Sequence, residues 1–297
     1  MLGPAPDGMM KKMNRAMARQ QRHFNFECHP RAFICVGLIS VVDIVLLIVA
    51  FVLNHGWTAG TWWSNIDASV LLKLGAKDTS LIQQGQFWRL FTAMFLHVGL
   101  LHCLLNILTQ ISLSVQIESS LGPLKTAFVY LASGVGGNMM SAIFLPNLPE
   151  VGASSSIFGL VAVYFVDLIV NWSLHANRTR NLIVLVVSTL ISFALGFFPH
   201  IDNFAHLGGF IVGLVAAFIV MPNVALPSLI PSKSRQQFRR NLLRIIIAST
   251  LLGLLYVAGF VVLYSGLQLD HWCTFCEYIS CLPIFDACKS YRGYPPP

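Results

Sequence analysis

The chain has 297 residues, 56% of them apolar and 10% charged, with a mean hydropathy of +0.70. A soluble domain carries roughly 25% Asp, Glu, Lys and Arg, so this composition cannot cover a water-facing globule and excludes a soluble enzyme. The net charge of +7 comes without any RNA- or DNA-binding signature and lies beside apolar runs, so its expected partner is the lipid bilayer and not nucleic acid.

A membrane span needs about 20 apolar residues, and apolar runs fall at 33–53, 100–116, 123–145, 152–170, 182–198, 204–221 and 242–264. They predict an all-α polytopic membrane protein of seven helices. The first run follows a basic tail, 1–32, and is itself long enough to span, so it is expected to act as an uncleaved signal anchor. The second run would extend back to Leu90, but Gly99 breaks it.

Orientation follows from the positive charges. With a cytosolic N-terminus, the inner segments hold Lys11, Lys12, Arg15, Arg19, Arg22, Arg31, Lys125, Arg178, Arg180, Lys233, Arg235, Arg239, Arg240 and Arg244, against Lys73, Lys77, Arg89, Lys289 and Arg292 outside. This bias puts the N-terminus inside and the C-terminus outside.

The first outer loop, 54–99, then carries Trp57, Trp62, Trp63, Phe87 and Trp88, aromatics that favour the headgroup level. Further on, 222–241 reads as a basic, Pro/Ser-containing inner linker that sets the last helix, 242–264, apart from the core at 33–221. The outer tail, 265–297, holds Cys273, Cys276, Cys281 and Cys288. In an oxidising compartment these are read as two disulfides of unknown pairing, with a zinc site as the alternative.

Polar groups inside hydrocarbon cost several kcal/mol each when unsatisfied, and here they gather on the second, fourth and sixth runs. His102 and Asn106 are an i, i+4 pair, with His97 just before them. Gly152 to Gly159 places Ser154, Ser155 and Ser156 in one turn, and the sixth run has His206 followed by Gly209 and Gly213. All three runs enter from the outer side, so these groups share one depth. The small residues let the helix backbones approach closely, which would bring Ser154 to His206. An imidazole can take the hydroxyl proton as serine attacks a carbonyl, with His102, Asn106 and the Ser154 N–H available for the oxyanion. Asp43 and Asp167 lie in apolar runs without an evident catalytic partner and are read as structural.

At these residues the sequence resembles the rhomboid family of intramembrane serine proteases over about 87–221. Gly152-Ala153-Ser154-Ser155 with Gly159 is similar to its G-x-S-G motif; Ala205, His206, Gly209 and Gly213 match A-H-x-x-G-x-x-x-G; His97, His102 and Asn106 match its histidine and asparagine pattern; Trp88-Arg89 matches its loop W-R. The resemblance implies a six-helix core plus a seventh C-terminal helix, with a Ser154–His206 dyad, oxyanion donors His102 and Asn106, and first-loop support from His97 and Arg89. It implies that Phe158 packs on the histidine, that no cofactor or metal is used, and that the substrates are single-pass transmembrane proteins cut near their outer helix ends. The added seventh helix and Cys-rich tail resemble the secretory-pathway branch, at the Golgi or plasma membrane, and its plant members. Ser155 departs from the motif's second glycine and is expected to crowd the contact between the fourth and sixth helices. That departure keeps a second reading in view, a catalytically inactive relative that binds transmembrane clients and steers their trafficking.

Overall fold

The structure, a computed structural model, describes residues 33–56, 66–198, 201–222, 231–266 and 276–280. Trp57, Trp62, Trp63, Cys273, Cys281, Cys288 and the basic tail 1–32 lie outside the described residues. Regular structure among those described is helical, with one isolated antiparallel bridge between Lys77 and Glu150. The long helices are α1 (Ile34–Leu53), α5 (Leu100–Leu121), α6 (Pro123–Phe144), α7 (Ser154–Val170), α8 (Arg178–Leu195), α9 (Asn203–Val220) and α10 (Pro231–Tyr264). Between α1 and α5 the outer loop forms three short helices, α2 (Ala68–Leu74), α3 (Thr79–Gln83) and α4 (Arg89–Thr92), and α11 (Cys276–Ser280) follows α10.

Six of the long helices are long and apolar enough to cross a membrane, while α7 is apolar but has only 17 residues. At 1.5 Å per residue it spans roughly 25 Å against a hydrocarbon core of about 30 Å. It is thus at the short end of what a span needs.

The centre of the bundle is α6, α7 and α9. A Cβ on Gly209 would land on the Ser155 carbonyl, one on Gly213 would lie 3.0 Å from the Gly159 carbonyl, and one on Gly137 would strike the Ala205 carbonyl and the Ser155 Cβ. Backbone therefore lies against backbone. Around this contact Val129, Tyr130, Leu160, Val163, Val166, Ala216 and Ala217 form the main buried cluster. Helices α8 and α10 are peripheral and leave most of their apolar side chains facing outward.

Two helices run further than their apolar runs suggest. α5 continues past 116 to Leu121 because Glu118 is not facing lipid: its carboxylate accepts from the Cys35 N–H at 2.8 Å and the Val36 N–H at 3.3 Å, satisfying orphan donors at the start of α1. α10 begins at Pro231, so the second half of the expected linker 222–241 is helical. Proline suits a first helical position, where its missing N–H costs nothing. Arg244 then fixes this helix by donating to the Met221 carbonyl at 2.5 Å.

Asp43 is fully buried and accepts from Gln110 Nε2 at 2.9 Å; the same amide donates to Ser40, and its oxygen accepts from Tyr130 OH at 2.9 Å. This chain links α1, α5 and α6, a structural role for the aspartate. Asp167 accepts from Asn171 Nδ2 at 2.7 Å and pairs with His175 at 3.3 Å.

Candidate active site

Ser154 is the first residue of α7 because the chain turns sharply just before it. Gly152 has φ +144°, a conformation side chains rarely adopt, and its N–H donates to the Ala93 carbonyl at 3.0 Å. A Cβ at position 152 would lie 2.9 Å from His102 Cε1, 3.2 Å from His102 Nε2 and 3.9 Å from Ser154 Oγ. The imidazole of α5 thus rests against the backbone that presents the serine, and glycine is what leaves room for it.

His206 stands in the first turn of α9, which Asp202 caps by accepting from the Phe204 and Ala205 N–H groups at 2.8 and 3.0 Å. Its ring stacks on Phe158, centroids 4.4 Å apart and planes 20° from parallel. Phe158 is four residues after Ser154, about one helical turn, so the imidazole lies over the face of α7 that carries the serine. Phe193 of α8 meets the other part of Phe158 at 4.7 Å. His206 is 7% exposed, and Ser154 Oγ makes no hydrogen bond to a described residue.

Asn106 is buried, with its Nδ2 donating to the His102 carbonyl at 2.9 Å; one amide hydrogen of the two is thereby committed to its own helix. His97 meets His102 edge to face, centroids 5.3 Å apart. Burial, with the neighbouring His102 adding to it, pushes His97 down to about 3, so it is neutral at ordinary pH.

Arg89 organises the outer loop. Its Nε donates to Gln86 at 2.8 Å, and one terminal nitrogen donates to the Leu72 and Ala76 carbonyls at 2.8 and 2.9 Å. Trp88 is half exposed and lies edge-on to Phe87.

Sequence reasoning passed over Lys77. It is wholly buried, bonded through Nζ to the Leu145 carbonyl at 2.9 Å, and bridged through its backbone to Glu150. Burial lowers its pKa against the pull of Asp202, Glu150 and Asp78, and burial together with Asp202 holds Glu150 well above the usual carboxylate range. These groups join the outer loop, the α6–α7 connection and the start of α9. In the sequence Lys77 looks like any other charge of the loop, so nothing marked it in advance.

Ser155 is 1% exposed, and its Oγ has no hydrogen-bond partner among the described residues. It faces Gly137 of α6 and Gly209 of α9, not the Ser154 side. The expected crowding is therefore met by a glycine on a third helix that sequence reasoning did not single out. The run Gly134, Gly136 and Gly137 within one apolar span was the available signal.

A Rhomboid domain profile matches residues 84–223. RHOMBOID-like protein 1 of Arabidopsis thaliana is 35% identical over 240 residues, covering 75% of this chain and 61% of that protein. RHOMBOID-like protein 2 of the same plant is 33% identical over 222 residues, covering 73% and 70%. Inactive rhomboid protein 1 of Homo sapiens is 39% identical over 208 residues, covering 70% of this chain and 23% of that protein.

Proposed function

The chain belongs to the rhomboid family, and from that premise we propose that it is an intramembrane serine protease with Ser154 as nucleophile and His206 as general base. The observation that carries this is the stack of His206 on Phe158, which holds an imidazole above the helix face that begins with Ser154. His206 accepts the Ser154 proton as Oγ attacks a substrate carbonyl, and the tetrahedral oxyanion is met by the first-turn N–H groups of α7, the His102 side chain and Asn106. His206 then gives its proton to the leaving amine, and a water, deprotonated by the same imidazole, hydrolyses the acyl ester. Because Ser154 stands at the first residue of an apolar helix, the substrate is a transmembrane helix that exposes a carbonyl near its outer end. The compartment is the secretory pathway, with the N-terminus cytosolic; Cys276, held in a disulfide, accords with an oxidising outer side.

The 39% identity to inactive rhomboid protein 1 favours a second reading, a client-binding protein without catalysis. Cleavage of a single-pass reporter separates the two. Wild type should cut it, Ser154→Ala and His206→Ala should each fall to background, and the double variant should be no worse, because dyad members act as a unit. A fluorophosphonate should label Ser154. Folded wild type that neither cuts nor labels, but co-purifies with the single-pass reporter, would favour the client-binding reading.

A further inference from the structure

The first turn of α9, which carries His206, is gripped by a part of the chain 77 residues further on. The Asn203 N–H donates to Ser280 Oγ at 3.2 Å, and Asn203 Nδ2 donates to the Ile279 carbonyl at 2.7 Å and to the Phe193 carbonyl at 3.1 Å. Ser280 and Ile279 belong to α11, five residues long and too short to persist unaided. What holds it is Cys276, disulfide-bonded and 4% exposed, in a cluster with Leu145 and Phe204. Phe204 in turn lies flat on Phe144 of α6, centroids 4.9 Å apart. The root of the tail is also fastened: Tyr264 OH donates to the Ile82 carbonyl and Gln83 Nε2 to the Leu263 carbonyl, both at 2.8 Å.

The first amides of a helix have no acceptor within it. At α9 they are shared out: Asp202 takes those of Phe204 and Ala205, and Ser280 takes that of Asn203. His206 comes next, its own N–H bonded to the Asp202 carbonyl at 3.2 Å. The azimuth of its imidazole over α7 is set by this turn, so capping of the turn and aim of the ring are one event.

We infer that Cys276–Ser280 is a clamp on the start of α9 and that Ser280 is a positioning residue for His206. The second half rests on the proposed role of His206 as general base. The test uses the full chain in nanodiscs, with amide hydrogen exchange at 203–207 read beside cleavage and thermal midpoint. Ser280→Ala should speed exchange at 203–207 and lower kcat about fivefold, the size of a lost cap, with KM unchanged because no substrate contact is removed. Ser280→Thr keeps the acceptor and should recover both. Unchanged exchange in Ser280→Ala overturns the clamp whatever the activity. Faster exchange with full kcat, or Ser280→Thr as impaired as Ser280→Ala, overturns the positioning role. If exchange responds while wild type neither cleaves nor labels, the clamp stands and the protease reading fails.

Discussion

Ser155 occupies a position where the chain departs from the family motif, and its surroundings dictate what substitution there should do. The hydroxyl is buried without a partner among the described residues, a cost of about 1 kcal/mol or more. Ser155→Ala should therefore be at least as stable as wild type, and a serine-reactive probe should still map to Ser154. Label lost from Ser155→Ala but kept in Ser154→Ala would transfer the nucleophile to Ser155. His97 carries a pH prediction. Its folded value of about 3 lies below the 6.5 of a free imidazole, so below pH 6.5 the unfolded chain takes up a proton that the folded chain refuses. Stability is lost as pH falls, at up to about 1.4 kcal/mol per unit for this group. His97→Gln should be less stable at pH 7.5, where its packing on His102 is gone, yet lose less between pH 6.5 and 5. Equal slopes for the two proteins in equilibrium unfolding would show that His97 titrates alike in the folded and unfolded chain.

At the scale of elements, the α7–α9 contact and the outer loop depend on different devices. The first needs absence of side chains. Gly209→Ala would set a methyl on the Ser155 carbonyl, and because backbone cannot give way as a side chain can, about 1–3 kcal/mol is expected to be lost. Ser154 labelling should slow as the helices part; unaltered labelling with an unaltered thermal midpoint would show that the contact has slack. The outer loop needs one side chain with several donors. Arg89→Lys keeps the charge but cannot reach Gln86, Leu72 and Ala76 together. A loss of about 2 kcal/mol and faster limited proteolysis within 66–98 are expected, read by thermal midpoint and peptide mapping.

For the molecule in its membrane, the division of positive charge predicts a cytosolic N-terminus. A glycosylation acceptor placed after Ser265 should be modified, and one placed between Met221 and Pro231 should not; the reverse pattern would turn the bundle over and remove the oxidising environment that the Cys276 disulfide requires. The length of α10 fits this arrangement. Its 34 residues reach roughly 50 Å, well beyond the hydrocarbon, and the excess lies at the end bearing Arg239, Arg240 and Arg244.

The number and order of the apolar helices were written in the sequence because a span is a local property: about 20 residues must be apolar whatever they touch. The proposed dyad could be named for a related reason, since Ser154, His206, Gly209 and Gly213 sit in short motifs whose spacing is that of a helix face. What tertiary structure alone decided is every partnership between distant segments. Gly137 became the residue that admits Ser155, Glu118 the cap of α1 and Gln110 the partner of Asp43. Lys77 proved a buried anchor and not a loop charge, and Ser280 reached α9 from the tail. Apart from the glycine run on α6, none of these has a local signature, because a buried polar group declares its role only through the atom that satisfies it, and that atom lies tens of residues away in a chain whose folding brings the two together.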